Sequence, residues 1–578
     1  MQSLWEKSLI TADDVVGARH FRLYESIIEY GEGKLSATER DVVEMRHAKY
    51  YATVGLVWVD AAMTTGAPEA WKKLEAARDN LLAARRRLDL DSAAELLLQL
   101  TVVLEEALHR QGIVDAHSDL LDQALQVADS VDCPAILVAR VKLAKARRQR
   151  LGGDLSTAKS LLDSLSVKDQ MTTALIAGEQ SEIHFQLGHR KLGVQYGDQA
   201  ADLLDATGID HLIARGMLIR ATNAFRVDHI DLAQEHLERS LATLGPDGDP
   251  ALRSRLLNNL ATLHAHSGRI FRALKWLEKS IELQANLNSV ADRAHRFAHL
   301  GQLYVTLRKW NEAKPVLHEA LRLARQSGVT SHLVFATVQV GWLELDRNNL
   351  LVAEERFRVA LELATQSGSS WDLFHAQYCV VLLHWLRGDR DSALAAIPRF
   401  LQQSGDNPWC LWVVGGLTAT TGEFTAAEQY FDRARELGRD LCTMDSKFVP
   451  RLYRAFLSLT RAKQEAPGDS RRFAEIGELL LDVCCHPATA GEMPTVPEMS
   501  LEIRLAVNLL FEALPKSTKM QVWTQLTARG QSTLFVAQQG KWFQLAGSEP
   551  VVLERSPQLC KLLAGLAKDW RTKPLLLD

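Results

Sequence analysis

An all-α solenoid built from helical hairpins is the fold this sequence predicts, and two observations carry the prediction. The first is self-similarity at a step of about 40 residues. The second is composition: 47% hydrophobic and 24% charged, with only 34 Gly and 16 Pro in 578 residues. That is too few turn formers for a many-stranded β protein and too much apolar residue for a disordered one. At roughly 100–200 residues per compact domain, the length alone would suggest several globules. Hairpins that cannot bury their own apolar faces must stack on neighbours, and one elongated array takes the place of those globules.

The step is read directly along the chain. Within Asn259–Leu283, Leu260 and Ala261 precede Gly268, Ala273, Leu277 and Ser280. One step on stand Leu300, Gly301, Tyr304, Trp310, Ala313, Leu317 and Ala320. Further steps give Val340, Gly341, Leu350, Ala353, Phe357 and Ala360, then Val380, Gly388, Ala393 and Ile397, then Val414, Gly415, Gly422, Phe424, Ala427, Phe431 and Ala434. Backwards, the Ala273 position maps to Ala233, Gly193, Ala158 and, less clearly, His117. Large apolar residues three and four apart share one helix face. Small residues at fixed places let the two helices of a hairpin approach closely, and Gly at the turn takes backbone angles that other residues resist.

This pattern resembles the tetratricopeptide repeat family, whose unit carries Leu-Gly and Tyr on a first helix. Ala, a large apolar residue and a second Ala follow on its second helix. The best match is Leu300, Gly301, Tyr304, Trp310, Ala313, Leu317 and Ala320, and the likeness spans roughly Ser92–Gly438. The unit is longer than the family's and lacks its closing Pro. Long units of this kind look like the repeat domains of bacterial regulators of the maltose-activator type. The resemblance implies a right-handed superhelical array over residues 92–438.

Residues 1–91 read as an N-terminal cap, with long helices expected at Thr38–Ala62 and Ala67–Leu88. Residues 439–530 read as a helical extension: Val449–Lys463, Arg472–Val483, Ser500–Leu514 and Lys519–Ala528 have helical spacing, and the Pro-rich stretch His486–Pro497 is a loop. Residues 531–578 change period. Strands are expected at Thr533–Ala537, Lys541–Leu545 and Val551–Leu553, then a helix at Leu559–Trp570 after Pro557. This small β/α segment resembles the first half of a winged helix of the response-regulator type. No recognition helix follows it within the chain, so the resemblance points to a regulator while leaving DNA binding doubtful.

Chemistry-bearing motifs are sparse. GEGKLS at Gly31–Ser36 lacks the spacing and preceding strand of a phosphate loop and reads as a helix-ending turn. Cys484, Cys485 and His486 have no second pair at ligand spacing, and His264 and His266 lie on different helix faces and read as surface or groove residues, so no metal site is expected. Neither HExxH, GxSxG nor paired CxxC occurs. The chain is not expected to be an enzyme or to need a cofactor, although catalytic groups converging from distant repeats form a third reading. Arg85–Arg87 and the run Lys142, Lys145, Arg147, Arg148 and Arg150 read as solvated faces, with an anionic partner as the alternative. Seven scattered Cys, a formal charge of −4, no charged-then-apolar leader in Met1–His20 and no apolar run longer than pieces such as Tyr378–Leu383 fit a reduced cytoplasmic protein.

The repeat register makes one sharper expectation possible. First helices line the concave face, with inward positions five and two before the Leu of Leu-Gly and two and five after it. In the units whose Leu position is Gln180, Arg220, Leu260 and Leu300 this gives Phe185, Arg215, Phe225, Arg255, Asn258, His295 and Gln302. In the units at Val340, Val380 and Val414 it gives Phe335, Trp342, Tyr378, Trp385, Trp409 and Trp412. One reading is a groove gripping a partner protein or peptide, aromatics supplying area and Arg and His fixing polarity. The other is that the register slips by a residue and the rings lie in the inter-helix core. The leading function is a protein-binding scaffold or regulatory adaptor, with self-association also open. The alternative is a transcriptional regulator binding DNA as an oligomer or with a separate DNA-binding subunit.

Overall fold

The computed structural model describes residues 6–484 apart from residue 8, stretches at 16–17, 89–92, 113–117, 405–407, 438–443 and 466–469, and a few turn positions (228, 268, 286, 288, 308, 348, 387–388). Beyond 484 it describes scattered positions between 506 and 522 and three short strands.

The chain opens on an element the sequence reading did not anticipate. β1 (Ile10–Val15) pairs antiparallel with β2 (Ala18–Leu23) in the register Ile10↔Leu23 to Val15↔Ala18. The signal in the sequence is two short runs flanking Gly17. α1 (Glu25–Lys34) ends within the GEGKLS stretch, and Ser36 caps α2 (Ala37–Thr64), its hydroxyl accepting from the Glu39 N–H while the Glu39 carboxylate accepts from the Ser36 N–H. Two orphan donors of the new helix are thereby satisfied. That stretch is a helix junction. α3 (Pro68–Arg87) follows, with Pro in the first turn, where its missing N–H costs nothing.

Hairpins then succeed one another. They are α4 (Ala94–Gln111) with α5 (Ser118–Ser130), α6 (Ala135–Gly152) with α7 (Leu155–Asp163), α8 (Gln170–Gln186) with α9 (Arg190–Asp205), and α10 (Asp210–Arg226) with α11 (Ile230–Leu244). Next come α12 (Pro250–His266) with α13 (Ile270–Gln284), α14 (Val290–Thr306) with α15 (Trp310–Ser327), and α16 (Thr330–Asp346) with α17 (Leu350–Ser367). α18 (Ser370–Leu386) with α19 (Arg390–Ser404), α20 (Pro408–Thr420) with α21 (Phe424–Leu437), and α22 (Met444–Glu465) with α23 (Ser470–Cys484) complete the helices.

The small positions explain the hairpin geometry. Ala158, Ala233, Ala273, Ala313, Ala353, Ala393 and Ala427 are each 0% exposed, so the repeat's phase coincides with its tightest contact. A Cβ on Gly301 would lie 2.1 Å from Leu317, one on Gly341 2.3 Å from Phe357, and one on Gly415 2.6 Å from Phe431. In each case the large residue sixteen positions later fills the space that glycine leaves. Packing at this density tolerates little added volume.

Successive first helices pack on one another, α4 on α6, α6 on α8, α12 on α14 and α14 on α16, whereas no comparable packing joins successive second helices among the described residues. First helices therefore line the inner, shorter circumference. The coil also meets itself. Arg110 on α4 donates to Asp249 before α12 at 3.1 Å, and the Thr330 hydroxyl on α16 donates to the Gly152 carbonyl on α6 at 2.9 Å. Gly112 and Gly153, in the left-handed region at φ +66 and +99, bring these turns together; a Cβ there would lie 2.7 Å from Ala291 and 2.9 Å from Ser367. Partners 139 and 178 residues apart in sequence thus touch, which winds the solenoid tightly around a narrow lumen.

At the C-terminal end, β3 (Leu534–Val536) pairs antiparallel with β4 (Trp542–Leu545), and β4 with β5 (Val551–Val552). The helix expected at 559–570, and with it the strand-and-helix unit as a folded whole, lies outside the described residues. The same holds for the loop at 486–497 and most of the two helices expected at 500–528.

Candidate functional site

The lumen has a charged entrance and a histidine-lined middle. On α4, α6, α8 and α10 the inner charges form a ladder of ion pairs. Arg148 donates twice to Glu105, at 2.9 and 3.0 Å. Arg147 and Arg150 both donate to Glu179, at 3.0 and 2.8 Å, and Arg147 also faces Glu106 at 3.7 Å. Arg226 donates twice to Glu182, at 3.0 and 2.8 Å, with its guanidinium 4.6 Å above the Phe185 ring. Burial raises the carboxyl pKa of Glu179 and Glu182, but the facing guanidiniums more than offset it, so both stay below the usual range. The second basic run is therefore neutralised from within; its Lys145 pairs with Asp122 at 2.7 Å. In the first run Arg85 is 1% exposed and donates to the Thr101 hydroxyl at 2.8 Å and the Leu120 carbonyl at 2.9 Å, so it holds helices together.

Arg215 and Arg255 stand apart from this ladder. Arg215 donates to the Met63 carbonyl at 3.3 Å, and burial, then the charge of Arg255, push its pKa down to about 10. Arg255 is exposed to the lumen, and no ion pair or hydrogen bond joins it to another side chain among the described residues. Its charge also depresses the pKa of His109 and His295 from across the lumen.

Beyond them the imidazoles gather. His295 and His299 on α14 bring ring nitrogens to 3.3 Å, and His332 on α16 tilts against His295 with centroids 4.9 Å apart. Phe335 lies 4.8 Å from His299, and His266 meets Phe225 edge-on at 5.0 Å. Burial is the main cause that lowers every one of these imidazoles: His266, His332 and His375 to about 4, His299 to about 3, and His295 well below its ordinary value. They are neutral near pH 7 and act as hydrogen-bonding groups, so the charge beside them is that of the two arginines and of Asp292, whose burial is more than offset by Arg296 and Arg255, keeping its carboxyl below the ordinary value. Among the described residues no group of three or more His, Cys, Asp or Glu is placed to hold a metal ion, and no helix is long and apolar enough to cross a membrane.

The expected site residues divide by region. Arg215, Phe225, Arg255, His295 and Phe335 are half-buried or exposed along the lumen. Tyr378 (8% exposed), Trp385 (8%) and Trp412 (2%) lie in one apolar cluster with Phe374, Phe400, Phe431 and Tyr453, and Trp385 stacks on Tyr453 at 6.3 Å. Trp342 is half-buried, edge-on to Phe357 at 5.1 Å. The Trp409 side chain lies outside those described, as do Cys484, Cys485 and His486. The sequence reading placed His266 at the surface or in the groove and missed His299, His332 and His375. His375 had a signal: it stands five before Val380, at the register position of Arg215, Arg255, His295 and Phe335.

With this geometry in hand, the repeat can be compared with known proteins. Residues 254–290, which take in α12 and α13, match the family model of the tetratricopeptide repeat. The solenoid is tetratricopeptide-like. No curated protein matches the chain in sequence. Similar solved structures include a Rap protein complexed with competence and sporulation factor, at 14% identity and TM-score 0.47, covering 62% of this chain and 98% of that one. Aspartyl phosphate phosphatase F from Bacillus subtilis follows at 14% and 0.37, covering 61% and 96%. The Cut9–Hcn1 hetero-tetramer of the APC/C gives 13% and 0.43, covering 70% and 74%. At such identities and TM-scores the likeness carries no conclusion about partner or activity.

Proposed function

We propose that this chain is a binding scaffold or adaptor that holds an extended, acidic segment of a partner protein along the lumen of its tetratricopeptide-like solenoid. The observation that carries the reading is the Arg215–Arg255 pair. Each of the neighbouring arginines 147, 148, 150 and 226 has its carboxylate, while these two guanidiniums repel each other and, among the described residues, neither bonds a carboxylate. An incoming Asp or Glu side chain relieves that repulsion and takes charge-assisted hydrogen bonds. The neutral imidazoles and the faces of Phe225 and Phe335 supply adaptable polar and apolar contacts on either side. No group of three or more His, Cys, Asp or Glu placed to hold a metal ion competes with this reading among the described residues.

The test is capture of the native partner by wild-type chain and by the double variant Arg215→Gln, Arg255→Gln. Capture should fall at least about tenfold with far-ultraviolet dichroism unchanged, a loss in line with removal of two buried charge contacts. Undiminished capture by the folded double variant would sink the proposal.

A further inference from the structure

The start of the solenoid carries a surface that the described residues leave largely uncovered. α2 is 28 residues long, and one face, Ala48, Ala52, Gly55, Val59, Ala62 and Met63, is buried against the following helices. The opposite face shows Val43 (49% exposed), Tyr50 (57%) and Val57 (64%), and the half-buried His47, Val54 and Ala61 continue the same line, His47 hydrogen-bonded to Asn80 of α3 and Ala61 touching the N-terminal core at their inner edges. These six positions are spaced four, three, four, three, four, which is the seam of a two-stranded coiled coil. A terminal repeat ordinarily presents a polar outer face for solubility. Here eight of the 18 large exposed hydrophobic residues of the described chain lie between Leu23 and Val57. A concentration of that kind marks an interaction surface.

We infer that this seam pairs with the same seam of a second copy of the chain, the two α2 helices lying antiparallel about a two-fold axis beside Thr53. Tyr50 then faces Val54 of the second copy, His47 faces its Val57, and Val43 faces its Ala61. The flanking charges select this partner and direction. Arg46 and Asp60 are both exposed on one edge of the seam, and the two-fold places Arg46 of each copy beside Asp60 of the other. A parallel pair would set Arg46 beside Tyr51 and leave Asp60 without a countercharge. On the other edge Glu44 is already engaged by Arg87 at 3.9 Å, so it adds no repulsion across the pair. An isologous contact needs a self-complementary patch, and this one is self-complementary in shape and charge.

The experiment is sedimentation equilibrium of the full chain between about 1 and 100 µM, a range that brackets a micromolar dimer. The wild type should sediment as a dimer in the upper part of this range. Val57→Glu should weaken association at least about tenfold, Asp60→Arg should weaken it about tenfold, and adding Arg46→Asp to Asp60→Arg should restore it to within about threefold. All three substituted side chains are exposed, and unchanged helicity verifies folding. A wild type that stays monomeric throughout overturns the proposal and leaves the face to a different partner. A dimer indifferent to Val57→Glu overturns it as well, because the contact then lies elsewhere.

Discussion

The lumen between α10 and α16 and the aromatic end between α18 and α22 are built from the same repeat, and in both the register position decides whether a residue faces the lumen or the core, although the residues placed there differ. Five before the Leu position, Arg215, Arg255, His295, Phe335 and His375 face the lumen. Two before it, Leu218, Asn258, Ala298, Val338, Tyr378 and Trp412 are all under 9% exposed. A helix position therefore becomes a contact surface or a core residue by its angle to the superhelical axis, whatever its chemistry. At the aromatic end the rings at the inward-turned edge meet Tyr453 of α22 and close the space; in the middle, charged and imidazole side chains keep it open to water.

The largest effect that would break this contrast is Trp412→Ala. Its ring is 2% exposed in the aromatic cluster, so truncation should cost about 3–5 kcal/mol in denaturant unfolding. A loss below about 1 kcal/mol would mean that the ring is a free groove residue after all. Next comes Gly341→Ala. The new Cβ would stand 2.3 Å from the Phe357 ring, and overpacking should cost about 1–3 kcal/mol.

Acid should act on the lumen and not on the aromatic end. Its imidazoles have folded pKa values depressed by burial to about 4 (His266, His332, His375) and about 3 (His299), against about 6.5 when unfolded. Between those limits the unfolded chain binds more protons, so stability is fully present above pH 6.5 and is lost as pH falls toward 4. Asp372, raised to about 6, and Glu105, raised to about 7, both by burial, work the other way over this window, and two carboxyls offset only part of the several imidazoles. The melting temperature should fall on the order of 5 °C between pH 6.5 and 4.5, and replacing His299 and His332 by Gln should flatten that slope. The smallest effect belongs to Arg255→Gln, exposed in the lumen, which should change stability by less than about 0.5 kcal/mol. A larger loss would assign it a structural role.

Much of the scaffold was legible before any coordinates. Phase, hairpin order and the Gly301–Leu317, Gly341–Phe357 and Gly415–Phe431 contacts follow from a spacing of small and large residues along one chain. The inward direction was only half legible. The lumen stripe centres on positions five and one before the Leu position and two and six after it (Arg255 and His266, His295 and His299), rotated from the expected set, so Tyr378 and Trp385 fell on the core side while Phe225, five after its Leu position, stays at the lumen's edge. The rotation depends on how tightly the coil winds. That winding is set by contacts between residues such as Arg110 and Asp249, 139 apart, which no local periodicity encodes. The β1–β2 hairpin was missed because pairing of two short strands is weakly specified by their own sequence.

Site-specific photo-crosslinking in the native host tests the central claim most directly, with a benzophenone side chain placed either at Arg255 or at Leu351, which is 79% exposed on the outer helix α17. The account predicts that position 255 forms an adduct with a partner polypeptide and position 351 does not. Labelling at 351 alone, or equally at both, would contradict a lumen-bound partner.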